Sequence, residues 1–522
     1  MIQRPNSRNI IVLVWITALL TLLGGCARVF DTVHVAPDPE TERMLRIGFA
    51  EIQERYIEDL GVKFLTLTAL GGLQSFEAGI TTASEQNHII LRIDGTPIAK
   101  FLEPTNVNTD LWATVAAQVM AMAMANSTSV LFQHADHESL YKAAFDAVIN
   151  KLDKFSRYAG RDLARENRAS RAGFGGIGVT VESHAEGAKV TAITPGMTAE
   201  KSGMQVGDRI VLIDGNALNG LPLHEIVKQL RGPVGNNVRV AIRRDSSEDT
   251  LKHSLTREHI VINTVYYEPR GESAYVLISS FNRETGTRIK QALRRAQREI
   301  GEQLNGIILD VRNNPGGLLN QAVEASNLFL KNGLIVSTRG RHPNSAQRFD
   351  ATAAVFADEL PVAILVNGSS ASAAEILATA LQDHGRAVVV GSTSFGKGTV
   401  QIVRQLPNDG ELTLTWARFY APSGYALHRL GVLPTICTSD AEDAESALKK
   451  SLITEAHFTR RDHASRRSAD ITDENNSQII LSLCPWRPNK GKDLDLEIAE
   501  RLLAEPILYL RAIELAQPET EF

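Results

Sequence analysis

Three serines fall within four positions of the stretch VNGSSASAAEILATALQDHG, residues 366–385: Ser369, Ser370 and Ser372. The apolar run PVAILV precedes them and a helix-like segment follows. A strand that turns into a helix leaves the first helical N–H groups unbonded, with the positive end of the helix dipole at the turn. Negative charge developing there is stabilised. A serine at that mouth can therefore act as a nucleophile, with a neighbouring N–H as oxyanion donor. The same position suits a serine that only caps the helix, so this stretch alone does not choose. A proton acceptor is also required. GSTSFGKGTVQI, residues 391–402, offers Lys397 between two glycines. A lysine on an inward face loses hydration, which lowers its pKa toward a neutral amine able to deprotonate a hydroxyl. GTVQIV has strand character, so Lys397, Thr399 and Gln401 are expected on one face at period two, with Gln401 orienting the amine. In NNPGG, after the strand-like IILDVR, Gly316 and Gly317 are candidate oxyanion donors beside Ala373.

Other chemistries fit less well. Asp383 and His384 suggest a Ser-His-Asp triad. A helix from Ser372 would carry His384 about three turns away, roughly 18 Å, and Gly385 marks it as a helix end. Asp310 reads as a strand-end carboxylate bonded to neighbouring loops. No His/Cys/Asp/Glu spacing suggests a metal site. GFGGIG loosely overlaps a dinucleotide loop, but no helix follows it. No cofactor is expected.

These segments need a scaffold. With 522 residues the chain is too long for one core, so several domains are expected. A 43% hydrophobic, 22% charged composition is that of a globular protein, and a net charge of −5 gives no reason to expect nucleic-acid binding. Residues 27–170 read as a mainly helical scaffold, with helical spacing in ETERMLRIGFAEIQERYIE, TDLWATVAAQVMAMAMANS and HESLYKAAFDAVINKLDKFSRY, and a strand in HIILRIDG. Residues 171–257 run in short β-like pieces divided by glycine turns, with one helix at 223–230. Residues 258–436 alternate strands with helices, which argues an α/β domain with a largely parallel sheet. Residues 437–522 form an extension; TRRDHASRRSADITDENNSQ reads as an exposed loop and LDLEIAERLLAEPILYLRAIELA as a helix interrupted near Pro506.

The glycine-rich module suits capture of a peptide terminus. A carboxylate needs several N–H donors converging on one point, and FGGIG, with Gly175, Gly176, Ile177 and Gly178, allows such a turn. An added strand needs a sheet edge beside an apolar helix side, here Ile226, Val227 and Leu230. In order, these strings resemble a PDZ domain of the bacterial type.

ILDVRNNPGGLL, SSASAAEILATALQDHGRAVVVGSTSFGKGTVQ and the preceding module resemble the carboxyl-terminal processing, or tail-specific, proteases, over about residues 150–436. The resemblance implies a crotonase/ClpP-like α/β catalytic domain with an inserted PDZ domain. It implies a serine peptidase with a Ser–Lys dyad. Its motif assigns the nucleophile to Ser372, the base to Lys397 and the supporting amide to Gln401. Ala374 and Ser394 stand where the family often has serine and threonine; neither removes a catalytic group. The family presents an arginine in an RGP turn that helps switch the site, here Arg231. Substrates would be proteins with apolar C-terminal tails, with an adaptor lipoprotein and a homo-oligomer as further possible partners. Two rivals are a non-catalytic PDZ tail-binding adaptor and a crotonase-like acyl-thioester enzyme. The intact Ser/Lys/Gln set disfavours the first; the PDZ module and export signal disfavour the second.

The address is read from the N-terminus. Arg4 and Arg8 lead into the apolar run 10–23, too short for a comfortable membrane span, and LGGC follows. This resembles a bacterial lipobox, with residues 1–26 as signal peptide and Cys26 as the lipidated residue. Ala27 follows the cysteine, so by analogy the periplasmic side of the outer membrane is expected. Cys437 and Cys484 are then the remaining thiols. In an exported chain an even pair suggests a disulfide, the alternative being two unpaired buried cysteines.

Overall fold

The computed structural model describes residues 36–246, 249–353, 355–357, 360–487 and 492–517; Cys26 and the apolar run before it lie outside these. The chain divides into two compact units. The first is Met1–Glu54, Leu60–Tyr158 and Leu406–Asn408; the second is Arg55–Asp59, Ala159–Gln405 and Asp409–Phe522.

The first unit joins helices α1 (Pro39–Arg55), α2 (Val62–Gly71), α3 (Thr109–Asn126) and α4 (His137–Ile149) to an antiparallel meander of β1 (Ile80–Glu85), β2 (His88–Ile93) and β3 (Thr96–Leu102). The expectation of a mainly helical region missed two of the three strands. In α3, Ala113, Ala116, Ala117 and Met120 recur at helical spacing and are buried. The Met and Ala run is core.

In the second unit, β4 (Phe174–Gly176) leads into a sheet of β5 (Val179–His184), β6 (Gly187–Ile193), β7 (Arg209–Ile213), β8 (Asn237–Arg243) and β9 (Leu251–Thr256), in the order β9-β8-β7-β6-β5. Helix α5 (Leu223–Leu230) packs on it. The exit strand β10 (Glu258–Ile260) pairs antiparallel with β4, so the chain enters and leaves this module side by side.

A second sheet follows: β11 (Val265–Arg270), β12 (Ser273–Ile278), β13 (Gly306–Asp310), β16 (Val362–Val366), β17 (Val388–Gly391) and β20 (Ile436–Cys437), in that spatial order. Only β11 and β12 pair antiparallel; the rest are parallel. Its central strands β13, β16 and β17 are buried throughout, as a sheet covered on both sides requires, while the edge strand β11 is largely exposed. Ile307, Leu309, Ile364, Val366 and Val389 face helices α6 (Thr285–Ile300), α7 (Leu319–Asn327) and α8 (Ala373–Asp383). The alternate residues Ile308, Ala363, Leu365, Val388, Val390 and Ile436 face the other way, into α11 (Leu494–Ala504) and α12 (Pro506–Ala516). The C-terminal residues are therefore not an appendage: they supply the last strand and one covering layer. Each buried Leu or Ile in that layer contributes about 1.5–3 kcal/mol. A smaller antiparallel sheet, β15-β14-β19-β18, is made by β14 (Leu334–Arg339), β15 (Gln347–Asp350), β18 (Thr399–Gln405) and β19 (Glu411–Tyr420).

The polar stretch expected to be a loop is instead two helices, α9 (Ala456–Arg467) and α10 (Glu474–Ser482). Arg466 is fully buried. Its guanidinium donates to the Gly431 carbonyl and to Gln382 Oε1, both at 3.1 Å, and lies 4.6 Å over the Tyr425 ring. Arg467 reaches Asp383 at 3.3 Å. Tertiary acceptors, not local apolar spacing, hold this helix.

Candidate active site

Strand β16 ends at Val366, and six residues later Ser372 opens α8 at φ 56°, ψ −114°. Left-handed backbone at a non-glycine residue stores on the order of 1–3 kcal/mol and persists where the surroundings fix it. Here they do. All eleven residues of α8 are buried. The other two serines brace the turn. Ser370 Oγ donates to the Val311 carbonyl at 2.8 Å and accepts the Asn367 N–H at 3.0 Å. Ser369 is exposed, and its N–H goes to Asn367 Oδ1 at 3.1 Å. Ser372 alone of the three stands half-buried at the helix mouth.

Glu375 joins this turn to the lysine. It is wholly buried. One carboxylate oxygen accepts the N–H of Ser372 at 2.7 Å and of Lys397 at 2.9 Å. These two amide nitrogens are thus closer together than the sum of those distances. The other oxygen accepts the Gly396 N–H at 2.7 Å and the Ser394 hydroxyl. Burial pushes the Glu375 carboxyl up to about 7, against the pull of these four donors. The lysine turn has further ties: Phe395 N–H to the Ser370 carbonyl at 3.0 Å and Arg429 N–H to the Gly396 carbonyl at 2.9 Å. Gly396 takes φ 79°, which suits glycine.

Lys397 is half-buried and precedes β18, which starts at Thr399. The expected shared strand face therefore holds only for Thr399 and Gln401. Gln401 Nε2 donates to Thr399 Oγ1 at 2.9 Å and to Thr415 Oγ1 at 3.2 Å.

The glycine turn closes the site. A Cβ on Gly316 would lie 2.7 Å from the Ala371 carbonyl oxygen and 2.8 Å from Ser372 Cβ, so only glycine lets this backbone approach Ser372. Its N–H, however, goes to Asn314 Oδ1 at 2.8 Å. Gly316 therefore does not serve as an oxyanion donor; the buried Asn314 side chain shapes the turn instead, its Nδ2 donating to the Ile278 carbonyl at 2.6 Å. Gly317 is exposed, and Ala373 is the first residue of α8. His384 Nε2 lies 2.7 Å from the Leu334 carbonyl at the far end of α8, away from Ser372. Asp310 accepts the Tyr275 hydroxyl at 2.7 Å and the Arg312 guanidinium. Among the described residues no group of His, Cys, Asp and Glu is placed to hold a metal ion. Cys437 and Cys484 are joined by a disulfide.

In the glycine-rich module, β5 is the edge strand of its sheet. Gly175 and Gly176 lie in β4, and the Gly175 carbonyl accepts the Gly232 N–H at 3.1 Å. The carbonyls of Ile177 and Gly178 accept the N–H groups of Ala199 and Thr194 at 3.0 and 2.8 Å. Ile226 and Leu230 do not line a groove: both are core residues, 0% and 5% exposed, because their four-residue spacing puts them on the face that packs against the sheet. Val227, one residue round the helix, is half-buried. The Arg231 guanidinium lies 3.9 Å over the Phe174 ring, and its Nε is buried without a partner. Burial holds its pKa below the usual value, opposed by Glu166. The structure sets it beside FGGIG rather than among the groups around Glu375.

Glu375 is the functional residue that the sequence reading missed. A serine followed three residues later by glutamate is a capping-box signature, and Ser372–Glu375 carries it. That signal foretells the Ser372 bond but not the three donors from residues 394–397.

Comparisons with known proteins identify the family. Residues 272–438 match the model of peptidase family S41, and residues 165–243 match the PDZ domain model. A carboxy-terminal-processing protease of Bartonella bacilliformis is 39% identical over 303 residues, 58% of this chain and 70% of that protein. A Staphylococcus aureus protein named "Probable CtpA-like serine protease" is 32% identical over 309 residues, 58% of this chain and 61% of its own length. Among solved structures, a photosystem II D1 C-terminal processing protease aligns with 78% of this chain and 96% of its own, at 23% identity and a TM-score of 0.38.

Proposed function

This chain belongs to peptidase family S41, the carboxy-terminal-processing serine proteases, and from that premise we propose that it cleaves the C-terminal tails of exported proteins with Ser372 as nucleophile and Lys397 as base. Ser372 Oγ attacks the scissile carbonyl carbon while a neutral Lys397 amine takes its proton. The N–H groups of Ala373 and Gly317 stabilise the oxyanion. The ammonium of Lys397 then protonates the leaving amine. Water, deprotonated by the same amine, attacks the serine ester and releases the acid. Gln401 orients the amine through its amide oxygen. One observation carries this reading: a single buried carboxylate gathers the backbone N–H of Ser372 and of Lys397 onto one oxygen.

The PDZ domain would capture the tail by strand addition along the open edge of β5, with Val227 in contact with an apolar side chain of the peptide and the turn at Ile177–Gly178 at its carboxylate. We assign the catalytic domain to the crotonase/ClpP-like class, on its run of parallel strands with helices on both faces. The lipobox-like LGGC supports a lipid anchor at Cys26 and a place on the periplasmic side of the outer membrane. The test is Ser372→Ala in the full chain, with an unfolded protein and a peptide ending in apolar residues as substrates. Cleavage should vanish while thermal unfolding is unchanged; full activity in that variant would refute the nucleophile assignment.

A further inference from the structure

The disulfide lies at the edge of the parallel sheet from which both catalytic turns emerge. Cys437 ends β20 and pairs with Gly391, the last residue of β17. Cys484 stands 47 residues further on, just past α10, in chain without regular secondary structure. Its carbonyl oxygen accepts the Thr393 N–H at 2.9 Å, four residues before Lys397. Its Sγ lies 3.4 Å from the Gly391 carbonyl oxygen. Two residues on, Trp486 packs over the other turn: a Cβ on Gly368 would come 2.6 Å from Trp486 Cβ, four residues before Ser372. Between these two points the Ser392 N–H reaches the Val366 carbonyl at 3.2 Å, tying the ends of β16 and β17 together. One covalent bond thus holds one short segment, 484–486, against the backbone that leads to the nucleophile and the backbone that leads to the base.

Trp486 is 50% exposed, so its burial alone holds it weakly, whereas Cys484 is fully buried. A covalent tether raises the effective concentration of such a segment at its docking place. Misplacement of reacting groups by about 1 Å costs up to about 10²-fold in rate. We propose that Cys437–Cys484 is a positioning clasp: it keeps residues 484–486 seated on Thr393 and Gly368, and so fixes the Lys397 turn relative to the Ser372 turn. The proposal rests on the Ser372–Lys397 reading for its kinetic consequence, but not for its structural one. A staple that serves only the C-terminal layer would lower thermal stability and leave the catalytic turns unchanged.

The experiment uses the full chain in two variants. Cys437→Ser/Cys484→Ser opens the clasp without leaving a lone thiol; Trp486→Ala keeps the disulfide and the Cβ but removes the indole, whose Cγ and Cδ1 would lie 2.8 and 3.5 Å from a Cβ on Gly368. Each is assayed well below its unfolding temperature on a peptide ending in apolar residues, and amide hydrogen exchange is followed over residues 393–397. The double variant should lose about tenfold in kcat with KM within about twofold, and exchange at 393–397 should quicken. Trp486→Ala should lose about threefold in kcat. Unchanged exchange and unchanged kcat in either folded variant would overturn the clasp, and if the double variant does not fold, Trp486→Ala decides alone. Wild type that cleaves no peptide would refute the dyad reading, while the exchange result would still judge the clasp.

Discussion

Helices α8 and α5 each stand next to a site, and they serve it in opposite ways. Every residue of α8 is buried, so its first turn has no freedom, and the backbone of Ser372 can be held at φ 56°. Only Ile226 and Leu230 of α5 are buried; the rest of the helix is half-buried or exposed. A nucleophile needs reacting atoms fixed to fractions of an ångström. A peptide groove needs an apolar side that is still open to a ligand. The first demand is met by burial on all sides and the second by burial on one.

The sharpest break of this contrast is Ser372→Ala, which should lower kcat by on the order of 10⁴ or more while α8 stays packed, measured by peptide cleavage beside a melting curve. Glu375→Gln should cost about 10²-fold in kcat, because an NH₂ group replaces one acceptor oxygen and then faces either the N–H groups of Ser372 and Lys397 or the Gly396 N–H and the Ser394 hydroxyl. A loss under threefold would show that the turns do not depend on this carboxylate. In α5, Ile226→Ala should destabilise the PDZ module by about 2–5 kcal/mol, read by denaturant unfolding.

Glu375 also gives a pH signature. Its folded value near 7 lies above the ordinary 4.5, so the folded protein holds that proton more tightly than the unfolded chain does. The contribution to stability is therefore largest below about 4.5 and is lost as pH rises toward 7, by up to about 3 kcal/mol. Activity should run the other way. It rises with pH over the same window, because Glu375 must be ionised to accept its four donors. Unfolding free energies of wild type and Glu375→Gln at about pH 5 and about pH 7 check the sign: the wild-type decline should be absent in the variant. The smallest effect is at the open side of α5. Val227→Asp should weaken binding of an apolar-tailed peptide about tenfold, by fluorescence anisotropy, with stability changed by less than about 0.5 kcal/mol.

What could be read along the chain was local. Glycines beside Lys397, and a strand–turn–helix at Ser372, are patterns of adjacent residues, and they led to two turns that do meet. The helical spacing in α3 and α6 and the apolar strands of the parallel sheet are likewise periodicities within one segment. Ile226 and Leu230 show the limit of such reading. An apolar helix side is legible, but whether it faces a sheet or a ligand is not, and here it faces the sheet. Gly316 shows it again. A glycine turn beside the nucleophile was legible; that Asn314 takes the N–H was not.

By itself the sequence determined the main strands and helices of the parallel-sheet domain, the two turns that carry Ser372 and Lys397, and an even pair of cysteines. Tertiary structure alone decided that Glu375 joins residues 394–397 to Ser372, that Arg466 is buried, and that the last helices cover one face of the sheet. The reason is the range of the forces. Propensity and periodicity act over a few residues. The partners of a buried charge must come from wherever the fold brings a carbonyl or an amide, 21 and 22 residues away for Glu375 and 35 and 84 for Arg466.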